Sequence, residues 1–328
     1  MTNHDEAAVV RPLTLAWVGR QLEAGERVLG AEALHGGITA EMRRLTIGAR
    51  GGGTRELVLR TFVDVEDARD GLSREAGALA LLTGTGVPAP GLVAVDPAGA
   101  HCEYPSLLMT HLAGRPVLGD KGLEARVPLL ARQLVAIHAL RPAERPPGYT
   151  TLTTADTIVI PKGADAGAWA AAIDVIRGPA PSCEGRFLHR DFHPGNVLFD
   201  VPPPGPAGPR ITGVVDWTAT SWEPADLDVA HCSTNLSLLH GPEWGLRFSE
   251  AYGEAGGVQA ADPSGRLYWR VRDALAFSEE VHLVSQPWRE AGRAELTTRF
   301  VEERLDAYVT ALMDAPSEPR GLCKGKRE

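Results

Sequence analysis

Two short apolar runs, Phe187-Leu188 and Val197-Leu198-Phe199, bracket the polar stretch His189-Arg190-Asp191-Phe192-His193-Pro194-Gly195-Asn196. Apolar residues on either side of a Pro-Gly turn predict two short strands joined by a tight loop, because proline and glycine supply the backbone angles such a turn needs. Folding the chain there directs the Asp191 and Asn196 side chains into one pocket. Further on, Ile211-Thr212-Gly213-Val214-Val215 reads as another strand with Asp216-Trp217 at its end. A carboxylate at the end of a buried apolar strand is expensive unless it meets a cation. Between these runs, Val201–Arg210 (VPPPGPAGPR) is expected to be surface loop throughout, since proline supports neither a ladder nor a helix.

Around this unit the chain changes character once. Residues 13–24 read as an amphipathic helix. β-Prone runs follow at Val28–Leu34, Arg43–Gly48 and Glu56–Val63, separated by Gly36-Gly37 and Gly51-Gly52-Gly53, which predicts an antiparallel three-strand meander. Helical periodicity over Ala68–Leu82 puts Leu72, Ala76, Leu79 and Leu82 on one face. Gly91–Val95 and Ser106–His111 complete a five-strand sheet. After Gly114-Arg115-Pro116 helices take over, at Gly122–Leu140, Ala168–Ile176 and most of the chain from Asp226 to Met313, with 141–165 an irregular insertion. The expected architecture is α+β and bilobal. It has a five-stranded antiparallel N-terminal lobe over residues 1–112, a mainly helical lobe over 113–328, and a ligand cleft between them.

Composition narrows the function classes. With 44% hydrophobic and 23% charged residues among 328, the chain is ordinary globular protein and not globally disordered. No apolar stretch approaches the roughly 20 residues a membrane span needs, and Met1–Val10 lacks the cationic start and apolar core of a secretory signal. Cys102, Cys183, Cys232 and Cys323 form no CxxC pair, so neither a disulfide framework nor structural zinc is expected, and the cytoplasm is the simplest home. A pair of histidines, His189 and His193, lacks a third ligand nearby and is a poor zinc site. A net charge of −9 speaks against a nucleic-acid partner.

Phosphoryl transfer to an alcohol needs a carboxylate near the attacking hydroxyl and oxygen ligands for Mg²⁺ on the phosphates. Asp191 suits the first task; Asn196 and Asp216 suit the second. The order H-x-D-x-x-x-x-N followed by an acid and Trp resembles the eukaryotic-like kinase fold, and more specifically the aminoglycoside phosphotransferase and choline kinase family. The segment from Val215 to Pro224, with Asp228-Val229-Ala230 after it, is similar to that family's version, and the resemblance runs from about Val28 to about Val309.

The resemblance implies a small-molecule kinase moving the γ-phosphate of ATP (or GTP) to an acceptor hydroxyl, with an aminoglycoside-type antibiotic as the leading acceptor and Mg²⁺ as the metal. It implies that Gly36, Gly37 and Thr39 approach the phosphates and that Arg60, in the place of the protein-kinase lysine, binds them with Glu75 aiming it. Backbone groups of Thr110 and Leu112 would meet the adenine edge, Met109 would line its pocket, and Asp228 would brace the catalytic loop. In the helical lobe, Glu243, Glu250, Glu254, Asp273, Glu279 and Glu280 either face a cationic acceptor or form helix surface; Glu279-Glu280 is the first choice, because Leu275, Ala276 and Phe277 make that helix partly buried. Trp244, Tyr268 and Trp269 either stack on a ligand or, more safely, pack a core. The alternatives are a kinase of an amino alcohol, macrolide, sugar or other metabolite, and a non-catalytic nucleotide-binding regulator. A protein kinase is disfavoured, since the segment between Asp216 and Asp228 leaves no room for an activation loop. The expected partner is a small hydroxyl acceptor, with no membrane association, and the protein a monomer or homodimer.

Overall fold

The computed structural model of the chain describes residues 10–34, 40–63, 68–148, 153–182, 184–200, 208–279 and 281–314. In chain order the elements are α1 (Pro12–Gln21), β1 (Arg27–Leu34), β2 (Glu41–Gly48), β3 (Thr54–Thr61), α2 (Ala68–Leu82), β4 (Leu92–Asp96) and β5 (Ser106–Thr110), then α3 (Leu123–His138), α4 (Ala166–Arg177) and the short strands β6 (Gly185–Leu188), β7 (Val197–Asp200), β8 (Arg210–Val214) and β9 (Ser221–Pro224). The helices α5 (Asp226–His240), α6 (Pro242–Glu254), α7 (Pro263–Ala276), α8 (Val281–Glu290) and α9 (Thr298–Asp314) complete the chain. Among the described residues, no helix is long and apolar enough to cross a membrane.

The N-terminal sheet is antiparallel throughout, in the order β1-β2-β3-β5-β4. Its outer face carries Leu45, Ile47, Leu57, Leu59 and Leu108, covered by Trp17 and Val18 of α1. That helix is capped from afar: Leu13 and Thr14 donate their amides to the Glu103 carboxylate at 2.7 and 2.8 Å. It stops at Gln21 and not at residue 24, because Leu22 adopts extended backbone and packs against the same cluster. Side chains alternate along a strand, so Val58 and Arg60 of β3 face the other way from Leu57 and Leu59. Val58 joins Leu72, Leu79 and Leu82 of α2 and Met109 of β5 in the main core, which continues into the helical lobe through Leu123, Leu134, Phe187, Val197 and Trp217. The apolar face expected on α2 is the buried one.

The crossing between lobes depends on Gly114. Its φ is +105°, and a Cβ there would sit 2.8 Å from the Phe199 carbonyl oxygen, so only glycine permits the close approach. Beside it, Arg115 and Phe199 exchange backbone hydrogen bonds of 3.1 and 2.9 Å, joining the connection to β7.

The centre of the chemistry-bearing unit is more paired than a strand, loop and strand. β7 pairs with β8, and β6 pairs with β9, so the loop after β6 and the segment after β8 are held together from both sides. Arg210, expected in the loop, begins β8. β9 was not expected, since Ser-Trp-Glu-Pro has no apolar alternation; its pairing with Gly185–Leu188 is tertiary. Helix α5 is buried nearly all round, with α6, α7 and α9 packed about it. Such a helix is ordinarily apolar, yet its buried residues include Asp226, Asp228, Ser233, Thr234 and Asn235.

Candidate active site

The loop from His189 to Asn196 is fixed by Asp228, which is fully buried at the start of α5. The His189 amide donates to Asp228 Oδ2 at 2.9 Å and the Arg190 amide to Oδ1 at 2.7 Å. These bonds hold Arg190 at φ +71°, a left-handed conformation that costs a non-glycine residue roughly 1–3 kcal/mol and persists only where its surroundings impose it. Burial opposes charge on Asp228, but the hydrogen bond from His138 at 3.1 Å together with the electrostatic attraction of His138, Arg190 and His189 outweighs it and keeps the carboxyl below the usual range. His189 is buried and neutral in character: burial lowers its pKa, its Nε2 donates to the Val215 carbonyl at 3.0 Å, and its Nδ1 accepts from the Asp191 amide at 3.2 Å. His189 and His193 therefore serve the loop's backbone, and among the described residues no group of three His, Cys, Asp or Glu is placed to hold a metal ion.

Asp191 is partly open, with 39% of its side chain exposed. Asn196 Nδ2 donates to its Oδ2 at 2.8 Å and to its carbonyl at 2.9 Å, so the Asn196 amide oxygen is the acceptor left to offer. His231 Nε2 lies 3.1 Å from Asp191 Oδ1, and His193 Nε2 3.6 Å from the same oxygen. Burial works against the Asp191 charge, but His193 and His231 outweigh it and hold the carboxyl well below the usual carboxylate range. Burial in turn keeps His193 down at about 4.

Asp216 lies two residues beyond the end of β8 and not at the strand terminus, at φ +66°. Aspartate tolerates this region better than most residues, and three bonds fix it: Arg60 Nη1 and Nη2 reach its two oxygens at 3.0 and 3.1 Å, and the Thr218 hydroxyl donates at 2.8 Å. Arg60 Nη1 also meets both oxygens of Glu75 at 3.1 Å. Arg60 is 5% and Glu75 1% exposed, so the pair lies inside the protein. Burial pushes Glu75 up to about 7, with Asp216 adding and Arg60 opposing. Burial also opposes charge on Arg60, but Glu75 and Asp216 outweigh it and Arg60 stays protonated. The Val215 amide donates to the Asn196 carbonyl at 3.0 Å, which closes the chain of contacts from Asp191 through Asn196 to Asp216, Arg60 and Glu75.

The other residues singled out in the sequence are placed less uniformly. Gly36, Gly37 and Thr39 lie outside the described residues, as does Glu280. Met109 is buried in the main core. Thr110 commits its amide and hydroxyl to Gly91, at 2.9 and 2.8 Å, which leaves its carbonyl as the group it can present. Leu112 packs beside Gly213 and Leu198. Glu279 is exposed in the turn after α7. Glu250 and Glu254 are helix surface paired with Arg247, and Tyr268 and Trp269 pack a small core with Leu188 and Leu227. Asp273 is not helix surface: it is largely buried and its Oδ1 lies 3.2 Å from His231 Nδ1. His231 itself escaped the sequence reading, though its spacing of three from Asp228 puts both on one side of α5 and was a usable signal.

A family model described as the phosphotransferase enzyme family matches residues 30–269. The chain belongs to this family. It is an enzyme that transfers phosphate to a hydroxyl group of a small molecule. No curated protein matches it in sequence. Among solved structures, the chain is similar to a thermostable mutant of aminoglycoside phosphotransferase APH(4)-Ia in ternary complex with AMP-PNP and hygromycin B, with TM-score 0.56, 19% identity, and coverage of 88% of this chain and 95% of that one. It is similar to aminoglycoside-3'-phosphotransferase of type VIII, with TM-score 0.53, 23% identity, and coverage of 82% and 98%. A mutant aminoglycoside 2'-phosphotransferase-IIIa in complex with GDP has TM-score 0.55, 18% identity, and coverage of 87% and 94%. At these identities the likeness is one of fold.

Proposed function

We propose that this phosphotransferase moves the γ-phosphate of ATP or GTP to a hydroxyl of an aminoglycoside-type acceptor, in a cleft between lobes that divide at about residue 112. One observation carries the reading: hydrogen bonds run from Asp191 to Asn196, from the Asn196 carbonyl to the Val215 amide beside Asp216, and from Asp216 through Arg60 to Glu75, drawn from both lobes. The nucleotides and the aminoglycoside bound by proteins of the same fold support the choice of substrates.

In this reading Asp191 accepts the hydrogen bond of the acceptor hydroxyl. The acceptor oxygen bonds to the γ-phosphorus, the bond to the bridging oxygen breaks with its electron pair leaving on the nucleoside diphosphate, and the hydroxyl proton passes through Asp191 to solvent. Arg60 binds phosphate oxygens with its fork, and Glu75 keeps that fork aimed. The amide oxygen of Asn196 and the carboxylate of Asp216 are hard oxygen donors that fit Mg²⁺. Magnesium, when bound there, would neutralise charge on the phosphates. What the chain supplies is mostly position and a fixed electrostatic frame.

The test is nucleoside diphosphate release from ATP and from GTP, with hygromycin B, an amino alcohol, a macrolide and a sugar as acceptors. Acceptor-dependent release that EDTA abolishes and excess Mg²⁺ restores is the expected outcome. Release stimulated by the macrolide, sugar or amino alcohol alone would discard the aminoglycoside assignment. No release with any of them, together with no nucleotide binding, would discard the phosphoryl donor.

A further inference from the structure

Both ring nitrogens of His231 face carboxylates: Nε2 is 3.1 Å from Asp191 Oδ1, and Nδ1 is 3.2 Å from Asp273 Oδ1. A neutral imidazole has one N–H and one lone pair and can donate to only one of them; the imidazolium donates to both. The remaining groups around the ring do not alter this. Phe277, from the end of α7, lies 5.7 Å away centroid to centroid, and His193, from the loop, stands edge-on at 5.9 Å. Asn235, one turn along α5, brings its amide nitrogen 3.2 Å from Nε2 but donates at 3.0 Å to the His231 carbonyl.

We infer that His231, held by Asp273, is a positioning residue that fixes the Asp191 carboxylate for the acceptor hydroxyl. This rests on the proposed role of Asp191. Asp191 sits on a loop and is partly exposed, so nothing in its packing alone selects one orientation of the carboxylate plane. His231 holds one oxygen from α5 and Asn196 holds the other from the loop, and each oxygen keeps a second lone pair for an incoming hydroxyl. The arrangement is not one that packing favours. Asp273 Oδ2 is buried without a hydrogen-bond partner, a cost borne so that Oδ1 can face His231. Burial opposes charge on His231, but Asp273 and Asp191 outweigh it and push the imidazole up to about 10. With an imidazolium at Oδ1, Asp191 is a weak base. It orients the hydroxyl first and receives the proton late, as suits a loose transition state with little need for early deprotonation.

Two measurements test the assignment independently. In the first, the His231 ring nitrogens are followed by ¹⁵N NMR in the full-length protein, the signal being assigned by its absence in His231→Gln. The expected result is two protonated nitrogens at pH 8 in the wild type, with one proton lost at that pH in Asp273→Asn. A neutral His231 ring at pH 8 in the wild type overturns the inference. In the second, turnover of MgATP to ADP with water as acceptor is compared for wild type, Asp191→Asn, His231→Gln, Asp273→Asn and the Asp191→Asn/His231→Gln pair, all checked for a folded melting transition. His231→Gln and Asp273→Asn are expected to lower kcat about 10- to 100-fold at unchanged KM for ATP, the scale on which small misplacements act. Adding His231→Gln to Asp191→Asn is expected to change nothing further. Wild-type kcat in both folded single variants, or effects that multiply in the pair, would overturn it; should His231→Gln not fold, Asp273→Asn decides alone. Full turnover in Asp191→Asn defeats the proposed role of Asp191, and with it the positioning role, even when the NMR result stands.

Discussion

Arg60 and Asp216, separated by 156 positions in the chain, form a two-pronged ion pair in which Nη1 meets Oδ1 at 3.0 Å and Nη2 meets Oδ2 at 3.1 Å. The guanidinium thus occupies both oxygens of the carboxylate proposed to hold Mg²⁺. Asp216 Oδ2, bonded once, keeps a lone pair that could meet the metal, and a bound nucleotide would compete with Asp216 for the Arg60 fork while Glu75 retains its hold. Arg60→Lys, which keeps the charge and loses the fork, is expected to raise KM for the nucleotide about tenfold or more while leaving the fold intact. A nucleotide titration of kcat and KM checks it.

Removing the cation altogether has a second consequence. Arg60→Ala leaves Glu75 buried without its partner, and breaking such a pair costs about 3–5 kcal/mol. Urea unfolding of the variant should show that loss, and Glu75→Gln in the same background should recover part of it.

Asp191→Asn is expected to lower kcat about 10²- to 10⁴-fold, the range a positioned proton acceptor contributes. Nucleotide affinity by calorimetry should be unchanged, because among the described residues Asp191 makes no direct hydrogen bond or ion pair with Arg60, Glu75 or Asp216.

Asp228→Ala would orphan the amides of His189 and Arg190, at roughly 1–3 kcal/mol for each buried donor, so stability should fall by about 2–6 kcal/mol. The released loop should also lose the left-handed conformation of Arg190, and activity with it, even in the fraction that remains folded at low temperature. Denaturant curves and rates on the same preparation separate the two effects.

His231 predicts a pH dependence of stability. Asp273 and Asp191 raise its folded pKa to about 10 from the ordinary 6.5, so the folded state binds the proton more tightly. The contribution is fully present below pH 6.5 and is lost as pH rises through 10. The wild-type urea midpoint should therefore decline across that window, and His231→Gln should flatten the decline.

The large-scale plan was readable because it rests on local signals. β-Prone composition marked β3 and the 3.6-residue period marked the apolar face of α2, while Arg60 and Glu75 were picked out on those elements by the family resemblance. Asp191, Asn196 and Asp216 were found because each stands beside a break in an apolar run. The misses share a different cause. β9 exists through pairing with β6, Arg210 joins β8 through pairing with Asp200, and the partnership of His231 with Asp273 bridges two helices. None of these leaves a periodic trace. Asp273 looked like one more acid on a helix, because burial of a charged residue is decided by what packs over it.

Asn196 and Asp216 leave the same end of the ribbon formed by β7 and β8, where Val197 stands opposite Val214. The gap between their oxygens is therefore a property of strand register, and sliding one strand by a single residue would reverse the side chains and part them. Gly213 lies within that ribbon, and a Cβ there would come within 2.7 Å of Leu112 and 3.0 Å of Leu198. Weakened metal affinity with residues 196 and 216 untouched is thus the expected phenotype of a side chain added at 213, a lesion in spacing with every ligand still present.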